Sequence, residues 1–180
     1  AFAEMYINGE GVSPISFTCS PNVLDFGMVE EGSYKDMDLT VTNNADSGFD
    51  LEIDFSVSSI DFSFVDGATS HIIQPGKSQA IPIRYSPATT SVTKQLIINH
   101  NSSVKTNPMK VTLSGIMDKT TDIISAISDG WGAFENSDYS GSTSQFQIAI
   151  NFANTHESYD SLNAEATVGQ GWALSFERNY

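Results

Sequence analysis

The chain has little cysteine, few basic residues and no long apolar run. Its single cysteine, Cys19, excludes an intrachain disulfide. Cys19 lies in an alternating apolar and polar stretch, which predicts a small half-buried side chain rather than a nucleophile. No stretch reaches the roughly 18 consecutive apolar residues that a membrane-spanning helix requires, so we expect no membrane insertion.

The shortage of basic residues leaves the chain strongly acidic. Eight Lys and Arg face 22 Asp and Glu, which gives a formal net charge of -14. Such a surface repels the phosphate backbone of nucleic acids, so we expect no nucleic-acid partner. High negative charge favours solubility, and it also suits basic partners or a salty environment.

The residue patterns of common catalytic sites are absent as well. The histidines His71, His100 and His156 do not stand at zinc-binding spacings, and no Gly-x-Ser-x-Gly elbow or glycine-rich phosphate loop occurs. We therefore predict a protein that is not an enzyme, with no catalytic residue and no cofactor.

Two weaker binding options remain from residue types. Asp36 and Asp38 would place two carboxylates about 7 Å apart on one strand face, which makes them candidate calcium ligands, or simply a solvated face. Several aromatic residues are candidates for a platform on which a carbohydrate stacks; the alternative is that they pack in the core. These are Phe62, Phe64, Tyr85, Tyr159, Trp131 and Trp172.

From residue 14 to about residue 116 the apolar residues alternate with polar ones. In residues 51–57, for example, Leu, Ile, Phe and Val alternate with Glu, Asp and Ser. About seven such runs, separated by turn-forming residues, predict an antiparallel immunoglobulin-like β-sandwich. Pro82 cannot donate a backbone hydrogen bond, which favours an edge position for its strand; the alternative is that Pro82 faces outward at a bulge.

After residue 118 the pattern changes to a helical period, which predicts a mixed fold with a small all-α segment. Apolar residues in 120–136 fall on one helical face, with Thr120 or Thr121 as a cap, whereas 144–153 fits a helix or a strand equally. An internal repeat favours paired helices: Gly130-Trp131 recurs as Gly171-Trp172, and a Phe-Glu pair at 134–135 recurs at 176–177.

The β segment resembles the ASH family, the immunoglobulin-like domains of abnormal-spindle and Hydin proteins that are related to major sperm protein. The matching stretches are 20–27 (SPNVLDFG), 39–43 (LTVTN), 73–78 (IQPGKS), 83–87 (IRYSP), 96–99 (LIIN) and 111–115 (VTLSG). The resemblance implies a non-catalytic domain that presents edges or loops to protein partners.

The segment 120–180 resembles tetratricopeptide (TPR) repeats. Gly130 matches the small position of helix A, and Ser142, Phe146 and Ala149 match positions of helix B, before a second helix A over 163–178. An insertion at about 155–161 and Asn154 in place of the usual Pro depart from the family pattern. The resemblance implies three helices and a peptide-binding groove.

One and a half repeats cannot bury their apolar faces alone, so we expect them to pack against a neighbour, either the β-sandwich or another chain. The candidate interaction residues are Trp131, Phe146 and Trp172, which we expect to form one cluster against that neighbour. Self-association through the incomplete repeats is one way to supply it.

The predicted organisation has three parts. Residues 1–12 are the closing strand of a preceding repeat or an N-terminal strand, 13–117 are the sandwich, and 118–180 are the truncated helical segment. The expected function is a structural or protein–protein interaction module, as a fragment of a larger multidomain protein. The alternative is a spacer or accessory domain, carbohydrate-binding or not, of a larger enzyme or adhesin. That alternative favours an extracytoplasmic or cell-surface location.

Overall fold

The computed structural model describes residues 13–178, so the prediction for residues 1–12 lies outside the described residues. The chain divides into two compact units between Ile116 and Met117. Within the described range, no helix is long and apolar enough to cross a membrane.

The first unit is a β-sandwich of two sheets. The strands are β1 Phe17–Ser20, β2 Val23–Glu30, β3 Lys35–Asn43, β4 Leu51–Ser56, β5 Phe62–Phe64, β6 Ser70–Ile73, β7 Ser78–Tyr85, β8 Ser91–His100 and β9 Met109–Asp118. One sheet has the order β1-β3-β7-β5 and the other β2-β9-β8-β4-β6. The described residues thus hold nine strands, against the seven or so expected, because β5 and β6, with only 3 and 4 residues, are too short to stand out as alternating runs.

The alternation of apolar and polar residues sets which face of each strand is buried. In β4, Leu51, Ile53 and Phe55 are buried while the residues between them are exposed. The buried faces of both sheets meet in one apolar core. Its largest fully buried members are Phe17, Leu24, Phe26, Leu39, Leu51, Ile53, Ile81, Ile83, Tyr85 and Leu96.

Pro82 does not lie in an edge strand, contrary to the prediction. Strand β7 is flanked by β3 and by the short β5. The Pro82 carbonyl faces the β5 side, where it accepts a hydrogen bond from the Val65 N–H at 3.0 Å. Because N–H and C=O of a strand residue point to the same side, the missing donor of Pro82 faces the place where β5 has already ended.

The second unit contains three α-helices within the described residues. They are α1 Thr120–Glu135, α2 Tyr139–Ala153 and α3 Asp160–Glu177, with a 3-10 turn at Glu157–Tyr159 before α3. The ambiguous segment 144–153 is therefore helical. The three helices that the resemblance implied are present, while their tetratricopeptide character stays a prediction.

The first helix is capped differently from the sequence-based expectation. Neither Thr120 nor Thr121 is the cap residue, since the helix is preceded by Lys119 without a side-chain cap bond. Instead, the Asp118 Oδ1 accepts hydrogen bonds from the Thr120 N–H at 2.9 Å and the Thr120 hydroxyl at 2.6 Å. A carboxylate at this end of the helix also favours the helix dipole.

The core of the helical unit is built around Phe146. Its ring is fully buried, and a Cβ placed on Gly130 of α1 or on Gly169 of α3 would lie no more than 3.0 Å from it. The two glycines therefore let both helices approach the α2 ring closely. Gly171, the counterpart of Gly130 in the sequence repeat, meets nothing within 4 Å. On α3, Gly169 and not Gly171 therefore meets the Phe146 ring.

Candidate interaction surface

The three predicted interaction residues have different surroundings. Phe146 is 0% exposed and Trp131 is half-buried against it, with ring centroids 5.0 Å apart. Trp172 is 55% exposed and stacks on Phe176 of its own helix. Trp131 and Phe146 thus contact each other, whereas Trp172 lies on the outer face of α3; their packing as one cluster against a neighbour stays a prediction.

Four aromatic residues lead from the Phe146 core to solvent, and we call them the aromatic surface: Phe134, Tyr139, Trp172 and Phe176. Phe134 on α1 contacts Trp131 at 5.9 Å between ring centroids, and it contacts Phe176 on α3 at 5.3 Å. Tyr139 at the start of α2 packs on both Phe134 and Phe176 at 5.5 Å. Trp172 extends this array outward from Phe176, with centroids 6.5 Å apart.

Sequence reasoning missed three of these residues, Phe134, Tyr139 and Phe176, as members of a surface. The available signal was the recurrence of Phe-Glu at 134–135 and 176–177. Because α1 and α3 end beside each other, the two copies of this pair meet through the Phe134–Phe176 contact. Next to Trp172, Val168 is also largely exposed and borders a shallow depression with Gly171 and Ser175.

The aromatic surface lies among negative charges. Each of Phe134, Tyr139 and Phe176 is next in the chain to a carboxylate, namely Glu135, Asp138 and Glu177, all of them exposed. The last turns of α1 and α3 contain no basic residue, although Arg178 follows α3 directly as its C-cap residue. At the start of α2, Asp138 accepts a hydrogen bond from the Gly141 N–H at 2.9 Å.

The opposite ends of α1 and α3 are joined through a buried tyrosine. The Tyr159 hydroxyl accepts a hydrogen bond from the Lys119 N–H at 2.8 Å and donates to Asp118 Oδ1 at 3.2 Å. Burial raises the pKa of Tyr159. Partial burial opposes ionisation of Asp118, but the hydrogen bonds from Thr120 and Tyr159 outweigh it and lower its pKa.

The candidate calcium ligands lie on the sandwich, and one of them has another partner. Asp36 and Arg84 face each other across β3 and β7, and two hydrogen bonds of 2.8 Å join their side chains. This bond with Arg84 lowers the pKa of Asp36. Asp38 is exposed. Over residues 13–178, no three or more His, Cys, Asp or Glu side chains gather as a metal site.

Several aromatic residues considered for a carbohydrate platform are core residues. Phe62, Tyr85 and Tyr159 are all buried. Gly115 on β9 lies directly against the Tyr85 ring, where a Cβ would clash. Burial raises the pKa of Tyr85 to about 12. Of the six candidates, Trp172 has its ring largely open to solvent.

Cys19 is a half-buried free thiol, as the sequence predicted. Burial raises its pKa from the ordinary value of 9.0 to about 11. At neutral pH the side chain is therefore a thiol and not the nucleophilic thiolate.

A loop carboxylate that the sequence did not single out organises one end of the sandwich. Asp61 is 3% exposed, and its Oδ1 accepts hydrogen bonds from the Ala88 and Thr89 N–H groups at 2.8 and 2.9 Å. Beside it lies an open depression of about 780 Å³, bordered by Ile60, Val92 and Lys94. Because its partners lie 27 and 28 residues further along the chain, no local pattern marks this role.

The sandwich strands match a family model, the HYDIN/CFA65/VesB-like Ig-like domain, over residues 15–116. The chain belongs to this family. Membership confirms the resemblance to immunoglobulin-like domains of the Hydin type. The HYDIN/CFA65/VesB-like domain ends where the helical unit begins, so it says nothing about the helices.

Solved structures that are similar to part of this chain come from several organisms. The ASH/PapD-like domain 7 of human CEP192 is 11% identical, with a TM-score of 0.49 over 66% of this chain and 96% of that one. WR4, an MSP family member of C. elegans, is 10% identical, with a TM-score of 0.41 over 57% of this chain and 97% of that one. The Vibrio cholerae VesB protease is 10% identical, with a TM-score of 0.41 over 58% of this chain and 32% of that one. No curated protein matches the chain.

Proposed function

We propose that the chain is a non-catalytic protein-interaction module, in which the HYDIN/CFA65/VesB-like domain carries a helical unit that binds a protein partner. The family match supports an immunoglobulin-like domain as the first unit. The rest of the proposal concerns the helical unit and its partner.

The observation that carries the proposal is the exposure of Trp172. A tryptophan buries more apolar area than most side chains, and it is one of the residue types that dominate protein–protein binding energy. Trp172 is 55% exposed, whereas Phe146 at the centre of the core of its unit is 0% exposed. Its neighbours Val168 and Phe176 are exposed too, which makes a contiguous apolar patch.

Affinity capture with the full chain tests this function. The wild-type chain and a Trp172→Ala variant are immobilised and exposed to extract of the source cells, with and without proteinase treatment of the extract. Wild type should retain a proteinase-sensitive ligand that the variant loses. A Val23→Ala variant is the matched control, because Val23 is 50% exposed on the sandwich and should keep the ligand.

Two outcomes count against the proposal. A ligand that survives proteinase treatment and is released by glycosidases would favour the carbohydrate-binding alternative. Equal retention by wild type and the Trp172→Ala variant would mean that the helical unit does not provide the binding surface.

A further inference from the structure

Resting on the proposed function, we infer that the aromatic surface binds a basic segment of its partner, with Arg or Lys side chains stacked on Trp172 among the acidic residues around it. The chemistry of the partner follows from the aromatic rings and from the charges beside them.

The rings provide the first requirement. A guanidinium or ammonium group over the face of a tryptophan is held by the ring quadrupole, and tryptophan is the best of the aromatic residues in this role. The sandwich has an example of such stacking, since the Arg84 guanidinium lies 3.7 Å from the Tyr34 ring centroid. On the aromatic surface, Phe176 lies beside Trp172, with the two ring planes 25° apart. More than half of the Trp172 side chain is left for a ligand.

The charges provide the second requirement. Glu135 ends α1 and Glu177 ends α3, so each carboxylate adds to the negative end of its helix dipole. The contact of Phe134 with Phe176 brings these two helix ends together. A carboxylate at the negative C-terminal end of a helix destabilises that helix, and a cationic ligand would offset this effect.

Within the helical unit, few basic groups compete with a partner for the carboxylates near the aromatic surface. Residues 117–180 contain nine acids and two bases, Lys119 and Arg178. Lys119 pairs with Asp122 at 3.0 Å at the start of α1, far along the helix from Glu135. Among the described residues of the helical unit, Arg178 is the single base at the end where the aromatic surface lies, against three carboxylates, Glu135, Asp138 and Glu177.

A partner segment for this surface needs both charge and apolar side chains. Arg or Lys would meet Trp172 and the carboxylates, and aliphatic side chains would cover Val168 and the edge of Phe176. An acidic segment would be repelled by the carboxylates, and a purely polar segment would leave the apolar patch exposed to water.

Calorimetric titration of the full chain with three synthetic peptides tests the inference. The peptides repeat Arg-Leu-Ser, Gln-Leu-Ser and Glu-Leu-Ser, so that only the charge differs. We expect the Arg peptide to bind, the Gln peptide to bind about tenfold more weakly and the Glu peptide not to bind. Affinity for the Arg peptide should fall as salt is raised from about 0.05 to 0.5 M, because screening weakens exposed charge pairs.

Variants locate the binding. Trp172→Ala should lower the affinity for the Arg peptide about tenfold. The double variant Glu135→Gln/Glu177→Gln should lower this affinity several-fold. The matched control removes two exposed carboxylates from the sandwich, Asp50→Asn/Asp54→Asn, and should leave the affinity unchanged. An equal loss in the control would reveal attraction to the net charge alone and overturn the inference.

The remaining outcomes separate this inference from the proposed function. If the Gln peptide binds as well as the Arg peptide, the basic partner is wrong, whereas a Trp172-dependent protein ligand in the capture experiment would still stand. Sedimentation of the chain alone should show a monomer. A dimer that Trp172→Ala abolishes would assign the surface to a second copy and overturn the inference.

Discussion

Asp61 shows how one side chain can hold two distant parts of the sandwich together. Its carboxylate, 3% exposed, accepts the N–H groups of Ala88 and Thr89 and the Thr89 hydroxyl. Three hydrogen bonds to one carboxylate oxygen thus hold the loop after β7 in place.

Replacing this carboxylate should therefore destabilise the sandwich. We expect Asp61→Ala to lower the free energy of unfolding by about 2 kcal/mol, because it leaves buried N–H groups without an acceptor. Urea denaturation followed by circular dichroism measures the loss. Asp54→Ala removes an exposed carboxylate of β4 and should change stability by less than about 0.5 kcal/mol. Equal effects of the two variants would contradict the role given to Asp61.

Asp118 has a comparable role at the start of α1, and its effect should depend on pH. Its pKa is lowered from 3.8 in the folded protein, so its stabilising contribution is complete above that value and is lost as the pH falls below it. At pH 7 we expect Asp118→Asn to cost about 1 kcal/mol of stability, through loss of the charge on its hydrogen bonds.

The wild-type and Asp118→Asn proteins should become equally stable as the pH is lowered. Urea midpoints of both proteins, measured between about pH 7 and pH 3, give the difference in their stability at each pH. The titration of the other carboxylates affects both proteins alike and cancels in this difference. A difference that stays constant over this range would show that the Asp118 charge does not matter.

At the scale of elements, the helical unit depends on two glycines that face one ring. Gly130 and Gly169 approach Phe146 from α1 and α3, and a Cβ on Gly169 has no room unless the ring moves. Gly171, on the same helix, has open space around its Cα. The two α3 glycines should therefore respond in opposite ways to the same substitution.

Gly169→Ala should destabilise the helical unit by about 1 to 3 kcal/mol, as expected for overpacking of a core. Gly171→Ala should stabilise it by up to about 1 kcal/mol, since alanine favours a helix more than glycine does. Both tryptophans, Trp131 and Trp172, lie in this unit, so tryptophan fluorescence during urea denaturation reports on it. The same sign for both variants would contradict the packing around Phe146.

At the scale of the whole molecule, each unit has its own apolar core. Among the described residues, the members of the sandwich core lie between Ile15 and Leu113. The helical unit buries mainly small residues and has one fully buried phenylalanine, Phe146. A core of that size supplies little of the apolar burial that stabilises a small domain.

Residues 13–116 should consequently fold without the helices. Expressed alone, this fragment should show the circular dichroism of β-structure and a single cooperative urea transition. The fragment 117–180 should unfold at lower urea than the sandwich fragment. An unfolded sandwich fragment would show that its stability requires the helical unit.

The sequence by itself determined which faces of the strands are buried and where the β pattern gives way to helices. The reason is that side chains alternate along a strand, so the apolar residues of β4, Leu51, Ile53 and Phe55, can lie on one face alone. The motifs of the sandwich also sufficed to identify its family, because they follow one another in order along the whole domain. For the helical unit, periodicity and an internal repeat predicted the helices but not their register.

Only the tertiary structure decided which residues meet across elements. Pro82 is tolerated beside β5 because that strand ends early, and Gly169 rather than Gly171 packs on Phe146 because of how α3 is turned. For the same reason Trp172 lies outside the core while Trp131, in a similar sequence, lies against Phe146. Local sequence sets the period of an element, whereas the neighbour against which it packs sets its rotation.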